Sequence, residues 1–282
     1  MTKTNRFAAE KQMAERLACG RSMDEQIQAI TEHGNHGAIP VLRSAVLAAH
    51  GIANPRAQAE NGIFFGCYRP FTTPFLLSDY LKLLDFLGVD YTFFDREYCC
   101  GMPLLMQSMG DDSEIALSTE RNAQRLNQEI ARKKGASTMA YCCISCAYVA
   151  KNQSRPADAD HKYILDLIFS ALEGKKLKIE PTTVGYFEGC HSFYSNRFPD
   201  VEIDWKGYRD GLERIEGLKI VDLPNTLCCK RAASKIVDSA LKQNLDTIVC
   251  SCNGCYAALK TAAKGKARML TVPELLSRAL GL

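Results

Sequence analysis

Ten of the thirteen cysteines in this chain follow one pattern that occurs twice. In each copy a single Cys is followed by an adjacent Cys-Cys pair and then by Cys-x-x-Cys. The first cysteine set comprises Cys67, Cys99, Cys100, Cys143 and Cys146. The second cysteine set comprises Cys190, Cys228, Cys229, Cys252 and Cys255. The fold must gather five thiolates twice, and such soft ligands favour iron–sulfur chemistry.

The residues around the cysteines repeat as well. Each copy has an apolar segment before the single Cys, one before the Cys pair, one before Cys-x-x-Cys, and a further apolar segment at its end. In the first copy these landmarks lie at 62–67, 89–100, 137–146 and 165–174. In the second copy they lie at 184–190, 218–229, 246–255 and 273–282. Four landmarks in the same order indicate a duplication.

Helical patterns fill the intervals between these landmarks. Thr73 can cap a helix that Pro74 opens, with leucines along one face and Gly88 after its end. Apolar residues at spacings of three and four predict a second helix over 115–130. A similar pattern follows the second Cys pair at 228–229. Strands that alternate with helices of this length predict parallel β-α-β units, covered by helices on both faces.

Every cysteine landmark lies at the C-terminal end of a predicted strand. That edge of an open α/β sheet is where ligands bind, so distant thiolates should converge on one rim of each sheet. We therefore expect an α/β fold with two tandem pseudo-symmetric domains, each a small parallel sheet flanked by helices. The predicted boundaries are a helical N-terminal segment over 1–60, a first domain over 61–175 and a second domain over 176–282.

The N-terminal segment carries its own helix signals. Ser22 and Glu25 form a capping box before an apolar stripe. Pro40 opens a second helical stretch that Gly51 closes. This segment can dock on the chain's own domains or on a partner, and the sequence leaves both open. Its lone Cys19 has no clustered companions, so we interpret it as a bystander.

The composition argues against several classes of protein. A formal net charge of +3 is too small to indicate binding to nucleic acid or to an anionic membrane. No apolar run approaches the roughly 18–20 residues that span a bilayer. The charged N-terminal sequence lacks the apolar stretch of a secretory signal. We expect a cytoplasmic protein with reduced thiols, associated with a membrane only through a partner subunit.

Three uses of the cysteines compete. A disulfide framework is disfavoured because nothing indicates secretion. A structural zinc ion accepts four thiolates, but each set offers five. Adjacent cysteine side chains also tend to diverge, which suits a multi-iron cluster better than one tetrahedral ion. The pattern therefore favours a cluster, with zinc still open for the second set.

The paired motif gives the chain a family resemblance. A Cys followed by Cys99-Cys100-Gly101 and then by Cys-x-x-Cys resembles the cysteine-rich CCG domain. Two tandem copies resemble the B subunit of heterodisulfide reductase and its relatives. Those relatives serve sulfur-oxidising complexes and a class of succinate dehydrogenase/fumarate reductase. The resemblance covers about residues 62–282.

The resemblance implies a non-cubane [4Fe–4S] cluster in each domain, working directly at a substrate disulfide. On that basis the first cysteine set ligates one cluster and the second set ligates another. The second copy departs from the family pattern, because Lys230 replaces the Gly and the segment 230–251 is about one helix shorter than 101–142. A zinc ion, a cubane cluster or an altered site therefore stay open for the second set.

The resemblance also implies a function. We expect an iron–sulfur subunit of a heterodisulfide-reductase-like complex that cleaves or forms a small disulfide or sulfur-carrier bond and is active only within the complex. The alternative is an electron-transfer or anchoring subunit of a succinate dehydrogenase/fumarate reductase-type complex. Neither a nucleotide-binding G-x-G-x-x-G after a strand nor a ferredoxin cysteine run occurs. Electrons must therefore pass through partner subunits that carry flavin or ferredoxin-type clusters.

Three further residues lie beside the motifs. Cys142 and Cys250 precede or adjoin the Cys-x-x-Cys motifs, and we interpret them as small buried residues at strand ends. His191 follows Cys190 and could bind metal or donate a proton. A histidine at the rim that bonds to backbone or water is the favoured interpretation. We predict no catalytic residue beyond the cluster ligands.

Overall fold

The computed structural model describes residues 22–35, 40–107, 114–154, 158–189, 198–225 and 227–282. The first two helices are α1 (Met23–His33) and α2 (Pro40–Ala49). Ser22 caps α1 and forms the predicted capping box with Glu25, and Gly34 ends the helix in the left-handed conformation. The two predicted helices of the N-terminal segment are thus present in the described part of the chain.

The first sheet lies in the first half of the chain. Its strands are β1 (Asn61–Phe64), β2 (Tyr91–Phe93), β3 (Thr138–Tyr141) and β4 (Asp160–Tyr163). The helices along this stretch are α3 (Arg69–Thr72), α4 (Pro74–Leu87), α5 (Met102–Gln107), α6 (Glu114–Lys133), α7 (Ile144–Asn152) and α8 (Ile164–Ala171). All pairings are parallel, in the order β2-β1-β3-β4. The central strands β1 and β3 are almost wholly buried, as in a sheet covered on both faces.

The second sheet repeats this arrangement. Its strands are β5 (Lys178–Phe187), β6 (Glu216–Asp222), β7 (Thr247–Cys250) and β8 (Arg268–Thr271). Its helices are α9 (Trp205–Glu213), α10 (Cys229–Lys242), α11 (Asn253–Ala263) and α12 (Val272–Ala279). The order is β6-β5-β7-β8, again all parallel. Because each strand of the first sheet has a counterpart at the same place in the second, the fold is α/β with the two parallel sheets that the sequence predicted.

The strand order places the cysteines at a reversal point of each sheet. In the first sheet the chain leaves β1 towards β2 on one side and then returns to β3 on the other side of β1. The crevice at the C-terminal ends of β1 and β3 is therefore a topological switch point, where open α/β sheets bind ligands. The same reversal separates β5 from β7 in the second sheet.

The chain divides into two compact units that do not follow its linear order. Unit 1 comprises residues 1–78 and 89–164, and unit 2 comprises residues 79–88 and 165–282. The second half of α4 and nearly all of α8 therefore group with unit 2, although the repeat pattern assigns both helices to the first copy. The predicted boundaries at 60 and 175 stay predictions.

Two strands were not predicted from the sequence. β4 and β8 are edge strands of four residues, and each carries charged residues among its apolar ones. They precede α8 and α12, whose apolar sequences repeat at the end of each copy. Among the described residues, no helix combines the length and apolar character needed to cross a membrane.

Candidate metal centre

The first cysteine set lies at the C-terminal rim of the first sheet. Cys67 follows β1, the Cys99–Cys100 pair follows β2, and Cys143 is the N-cap residue of α7, directly after β3. Four of the five side chains are buried, and Cys143 is partly exposed. The rim thus collects thiols from three separate strand ends, as the sequence predicted.

The five thiols form one continuous series of contacts. Hydrogen bonds link Cys67 to Cys99, Cys99 to Cys100, Cys100 to Cys146, and Cys146 to Cys143. The vicinal cysteines therefore sit in the middle of the series, with a neighbour on either side. The five thiols are thus neighbours in one series, and their role as cluster ligands stays a prediction.

Gly66 allows this close approach. Its φ of +87° is in the region that favours glycine. A Cβ atom at this position would lie 3.5 Å from the Cβ of Cys143 and 3.5 Å from the Sγ of Cys146. A side chain here would therefore point at the thiols of the Cys-x-x-Cys motif. The glycine before Cys67 keeps the space beside these sulfur atoms free.

The thiols differ in acidity. A hydrogen bond from Cys146, together with the nearby Arg69 guanidinium, holds the pKa of Cys143 well below its usual range. The pKa of Cys146 is raised by its hydrogen bonds to Cys100 and Cys143 and by burial. An Arg69 guanidinium nitrogen lies 3.8 Å from the Cys143 sulfur. Because Arg69 is cationic and Cys143 is partly exposed, the site stabilises negative charge most readily at Cys143.

A buried ion pair supports the loop before Cys67. The Glu97 carboxylate accepts hydrogen bonds from the backbone N–H groups of Phe65, at 2.9 Å, and Gly66, at 2.7 Å. It also contacts the Arg43 guanidinium at 2.8 Å, with the two side chains only 1% and 6% exposed. Burial raises the pKa of Glu97, and the cation and the two N–H donors oppose that shift. Three donors therefore surround the carboxyl group and favour its ionised form.

Sequence reasoning missed Glu97 and Arg43 as parts of this site. Arg43 lies in the N-terminal segment, far from Glu97 along the chain, and no motif joins the two residues. The only available signal was the charged residues in the apolar stripe of α2 and in the loop before the Cys pair.

The Cys-x-x-Cys motif of the second set occupies the matching position in unit 2, since Cys252 is the N-cap residue of α11 as Cys143 is of α7. Cys228 is the N-cap residue of α10. Cys229, Cys252 and Cys255 are buried, and Cys228 is partly exposed. Cys190 lies outside the described residues.

Gly189 repeats the role of Gly66. Its φ is +107°, and a Cβ atom there would lie 3.2 Å from the Sγ of Cys255 and 4.0 Å from the Cβ of Cys252. The residue directly before Cys190 therefore approaches the Cys-x-x-Cys motif of unit 2 as its counterpart does in unit 1. The two sites share this local geometry, although one member of the second set is not described.

The Cys pairs differ between the units. Gly101, after the first pair, has a φ of +81°, and a Cβ atom there would lie 3.0 Å from the Cβ of Glu120. In unit 2 the second Cys is already the first residue of α10, so Lys230 lies in a helix. The second pair therefore needs no glycine. In the described residues, the interval before Cys252 contains α10 as its only helix, in keeping with the predicted loss of one helix.

The structure describes two of the four cysteine and histidine residues that were predicted not to be ligands. Cys142 and Cys250 are 1% and 0% exposed at the ends of β3 and β7, which confirms that they are buried residues at strand ends. Cys19 and His191 lie outside the described residues. Within the described ranges, no group of three or more His, Cys, Asp or Glu side chains is arranged to hold a metal ion. The thiols of the first set hydrogen-bond to one another.

Residues 62–151 match the sequence model of the CCG family, described as a cysteine-rich domain. This stretch contains the whole first cysteine set, from β1 to α7. The family match confirms, for this part of the chain, the resemblance inferred from the Cys99-Cys100-Gly101 motif.

Curated relatives are subunits of redox complexes. The D subunit of dihydromethanophenazine:CoB–CoM heterodisulfide reductase from Methanosarcina acetivorans is 24% identical over 262 residues, covering 80% of this chain and 60% of that protein. The C subunit of anaerobic glycerol-3-phosphate dehydrogenase from Escherichia coli is 25% identical over 191 residues, covering 63% and 45%. The B subunit of fumarate reductase (CoM/CoB) from Methanothermobacter marburgensis is 24% identical over 240 residues, covering 77% and 46%. The chain thus spans about half the length of these relatives.

Proposed function

We propose, from the premise that residues 62–151 are a CCG cysteine-rich domain, that this chain is an iron–sulfur subunit of an oxidoreductase complex. In the favoured form the complex is heterodisulfide-reductase-like, and the first cysteine set holds a non-cubane [4Fe–4S] cluster. The observation that carries the proposal is the continuous series of five thiols at the switch point of the first sheet.

The donor set fits an iron–sulfur cluster. Cysteine thiolates are the usual ligands of such clusters, and all five residues of the first set would serve. Five neighbouring thiols exceed the four that a tetrahedral zinc ion accepts. When bound, the cluster would supply one-electron transfer and iron that can bind substrate sulfur. The buried surroundings of Cys99 and Cys100 would exclude water from it.

The chain's own residues suggest how a substrate approaches. Cys143 is the one partly exposed residue of the first set, and Arg69 lies beside its sulfur atom. A small disulfide would enter on this side, because the other four cysteines are buried. Two electrons delivered from the partner subunits would break its S–S bond and give two thiolates, and the Arg69 guanidinium would stabilise the thiolate nearer to it. In the reverse direction the same cation would favour binding of the thiolate form.

The test is the metal and sulfide content of anaerobically purified protein, with its EPR spectrum. We expect iron and acid-labile sulfide in the wild-type chain and a loss of both in Cys99→Ser. The matched control is Cys142→Ser, a buried cysteine of the same rim that is not in the set. Protein without iron or sulfide after anaerobic reconstitution overturns the proposal, as does equal iron loss in both variants.

The second set requires its own test. We propose that it holds a second [4Fe–4S] cluster or a zinc ion, with Cys190, Cys228, Cys229, Cys252 and Cys255 as the ligands. The similar approach of Gly189 and Gly66 to their Cys-x-x-Cys motifs supports retention of a site. Loss of iron from Cys228→Ser indicates a cluster, loss of zinc indicates a zinc site, and no loss of either contradicts the assignment. Cys250→Ser is the control.

A second candidate function is an electron-transfer or anchoring subunit of a succinate dehydrogenase/fumarate reductase-type complex. The relatives named for fumarate reductase and glycerol-3-phosphate dehydrogenase favour it. In either role the partners would be subunits with flavin or ferredoxin-type clusters, in the cytoplasm or at a membrane through those partners. Reduction of a small disulfide by the purified complex supports the first function. Co-purification with a succinate dehydrogenase-type flavoprotein, without disulfide turnover, supports the second.

A further inference from the structure

We infer that the leader, which is residues 22–35 and 40–49 of the N-terminal segment, is a structural component of the first cysteine site. The leader holds the two loops that carry Cys67 and Cys99 and covers their buried side. Only the expected change in the EPR spectrum rests on the proposed function. The expected change in thiol accessibility applies to the metal-free protein as well.

Two hydrogen bonds connect the end of α1 to the cysteine loops. The side-chain amide of Asn35 donates to the backbone carbonyl of Cys67 at 2.7 Å, and this contact is buried. The backbone N–H of Cys99 donates to the carbonyl of Gly34 at 2.7 Å. Two consecutive leader residues therefore bind the two cysteines that are neighbours in the thiol series.

The left-handed turn after α1 brings these groups into place. Gly34 has a φ of +78°, and a Cβ atom there would lie 2.5 Å from the carbonyl oxygen of Glu97. Only glycine allows the backbone this close to the loop before the Cys pair. The end of α1 is thus shaped to fit the loop that carries Cys99.

The second leader helix fixes the other end of the same loop. Arg43 of α2 pairs with Glu97 and donates to the carbonyls of Phe94, at 2.9 Å, and Asp95, at 3.1 Å. Glu97 in turn holds the N–H of Gly66, the residue before Cys67. The guanidinium of a leader residue therefore reaches both cysteine loops through one carboxylate.

An apolar contact covers the thiols themselves. Ile30, 2% exposed, packs in one buried cluster with Cys67, Cys99 and Leu104. Met23 and Ile27, earlier on α1, and Tyr68 pack against the same cluster. One face of α1 thus shields the Cys67–Cys99 side of the site from water, and Cys143 is on the side that is partly exposed.

These contacts answer a question that the sequence left open. The leader belongs to unit 1 of its own chain and binds the cysteine loops through both helices. We therefore assign Asn35, Ile30 and the Arg43–Glu97 pair as positioning residues for Cys67 and Cys99. They act on the site through the loops and not as ligands.

The experiment compares Asn35→Ala with Asn54→Ala. Asn54 is a matched control because its amide also donates to a carbonyl at 2.7 Å, that of Phe93, and accepts two further hydrogen bonds. Loss of the Asn54 side chain should destabilise the chain at least as much as loss of the Asn35 side chain. Asn54, however, binds a strand and not a cysteine loop. Alkylation of each thiol by iodoacetamide is followed by mass spectrometry in the metal-free chain, and EPR spectra are recorded on the iron-loaded chain.

We expect Cys67 and Cys99 to be alkylated about fivefold faster in Asn35→Ala, the factor that corresponds to losing one hydrogen bond of the closed state. Asn54→Ala should match the wild-type rates at these two thiols. The EPR g values should shift in the first variant alone. Unchanged alkylation and spectra in a folded Asn35→Ala protein overturn the inference.

A second pair of variants covers the case in which Asn35→Ala does not fold. Ile30→Val removes one methylene group beside Cys67 and Cys99, and Ile52→Val makes the same change at another buried site. Faster alkylation of the two thiols in Ile30→Val alone supports the inference, and equal rates in both variants contradict it. A chain that binds no iron defeats the proposed function, but the alkylation result still decides the role of the leader.

Discussion

At the scale of single residues, two glycines lie directly against the thiols of the Cys-x-x-Cys motifs. Gly66 and Gly189 both have positive φ, and both would direct a Cβ atom at the Cys-x-x-Cys sulfur of their own unit. Other glycines have the same backbone conformation without this contact. Gly51, for example, has a φ of +68° and nothing within 4 Å of a Cβ position. Mutation can therefore separate the effect of a side chain placed against the thiols from the effect of a side chain placed at positive φ.

Gly66→Ala should lower the iron content of the purified chain, whereas Gly51→Ala should not. Both variants place a side chain at positive φ, at a cost of about 1–2 kcal/mol each. Only the first also introduces a methyl group 3.5 Å from the Cys146 sulfur, in space that bound iron would need. Iron per chain, measured after anaerobic reconstitution, checks this. Equal iron contents in the two variants would show that the approach of Gly66 to the thiols is incidental.

The buried His161 gives unit 1 a dependence on pH. Its Nε2 lies 2.8 Å from the side-chain amide nitrogen of Gln128, whose oxygen accepts from the N–H of Ala159. Gln128 therefore donates, and the ring must be neutral to accept. The other ring nitrogen, Nδ1, lies 2.8 Å from the Tyr141 hydroxyl. Burial lowers the pKa of His161 to about 4.

The free energy of unfolding should fall as the pH is lowered from 6.5 to 4, by up to about 3 kcal/mol from this residue. The unfolded histidine takes up a proton near pH 6.5 and the folded one only near pH 4, so the unfolded state binds more protons in this range. Urea unfolding across this range should show a flatter pH profile for His161→Gln than for wild type. His33→Gln, at a partly exposed histidine, serves as control, and the same slope in all three proteins would refute the argument.

At the scale of elements, the leader helices show what a sequence pattern can and cannot predict. Capping at Ser22 and the start at Pro40 are local signals, and both predicted helices form. Their docking site could not be predicted, because it depends on Asn35 and Arg43 bonding to loops far along the chain. The six strands before the cysteines were predictable from short apolar runs, whereas β4 and β8 are short, partly polar edge strands without such a run.

Arg43→Met should destabilise the chain by about 3–5 kcal/mol, because it leaves the buried Glu97 carboxylate without its cation. The control is Arg125→Met, which breaks an exposed i,i+4 pair with Glu129 and should cost about 0–1 kcal/mol. The midpoint of urea unfolding measures both. The double variant Arg43→Met/Glu97→Gln should recover part of the loss. Similar midpoints for the two single variants would mean that the leader is not held by this pair.

At the scale of the whole molecule, the duplication and the compact units follow different boundaries. The repeat pattern predicts a division near residue 175, where the second copy begins. Unit 2, however, includes residues 79–88 and 165–175 from the first copy. Within unit 2 the Tyr80 hydroxyl bonds to the side chain of Asn253, which is fully buried between Cys252 and Cys255. Tyr208 stacks on Phe169 within the same unit. Repeats in sequence identify equivalent elements, but the packing of apolar faces decides which of them share a core.

A fragment comprising residues 176–282 should therefore fail to fold cooperatively on its own. It lacks Tyr80, which is 1% exposed, and the α8 residues Asp166 and Phe169 that contact Tyr208. Losing one buried aromatic residue alone costs about 3–5 kcal/mol, a large part of the stability of a small domain. A fragment of residues 165–282 restores α8 and should show more helix by circular dichroism and a sharper thermal transition. If 176–282 melts as cooperatively as the longer fragment, the boundary at 175 is a domain boundary and residues 165–175 are dispensable for unit 2.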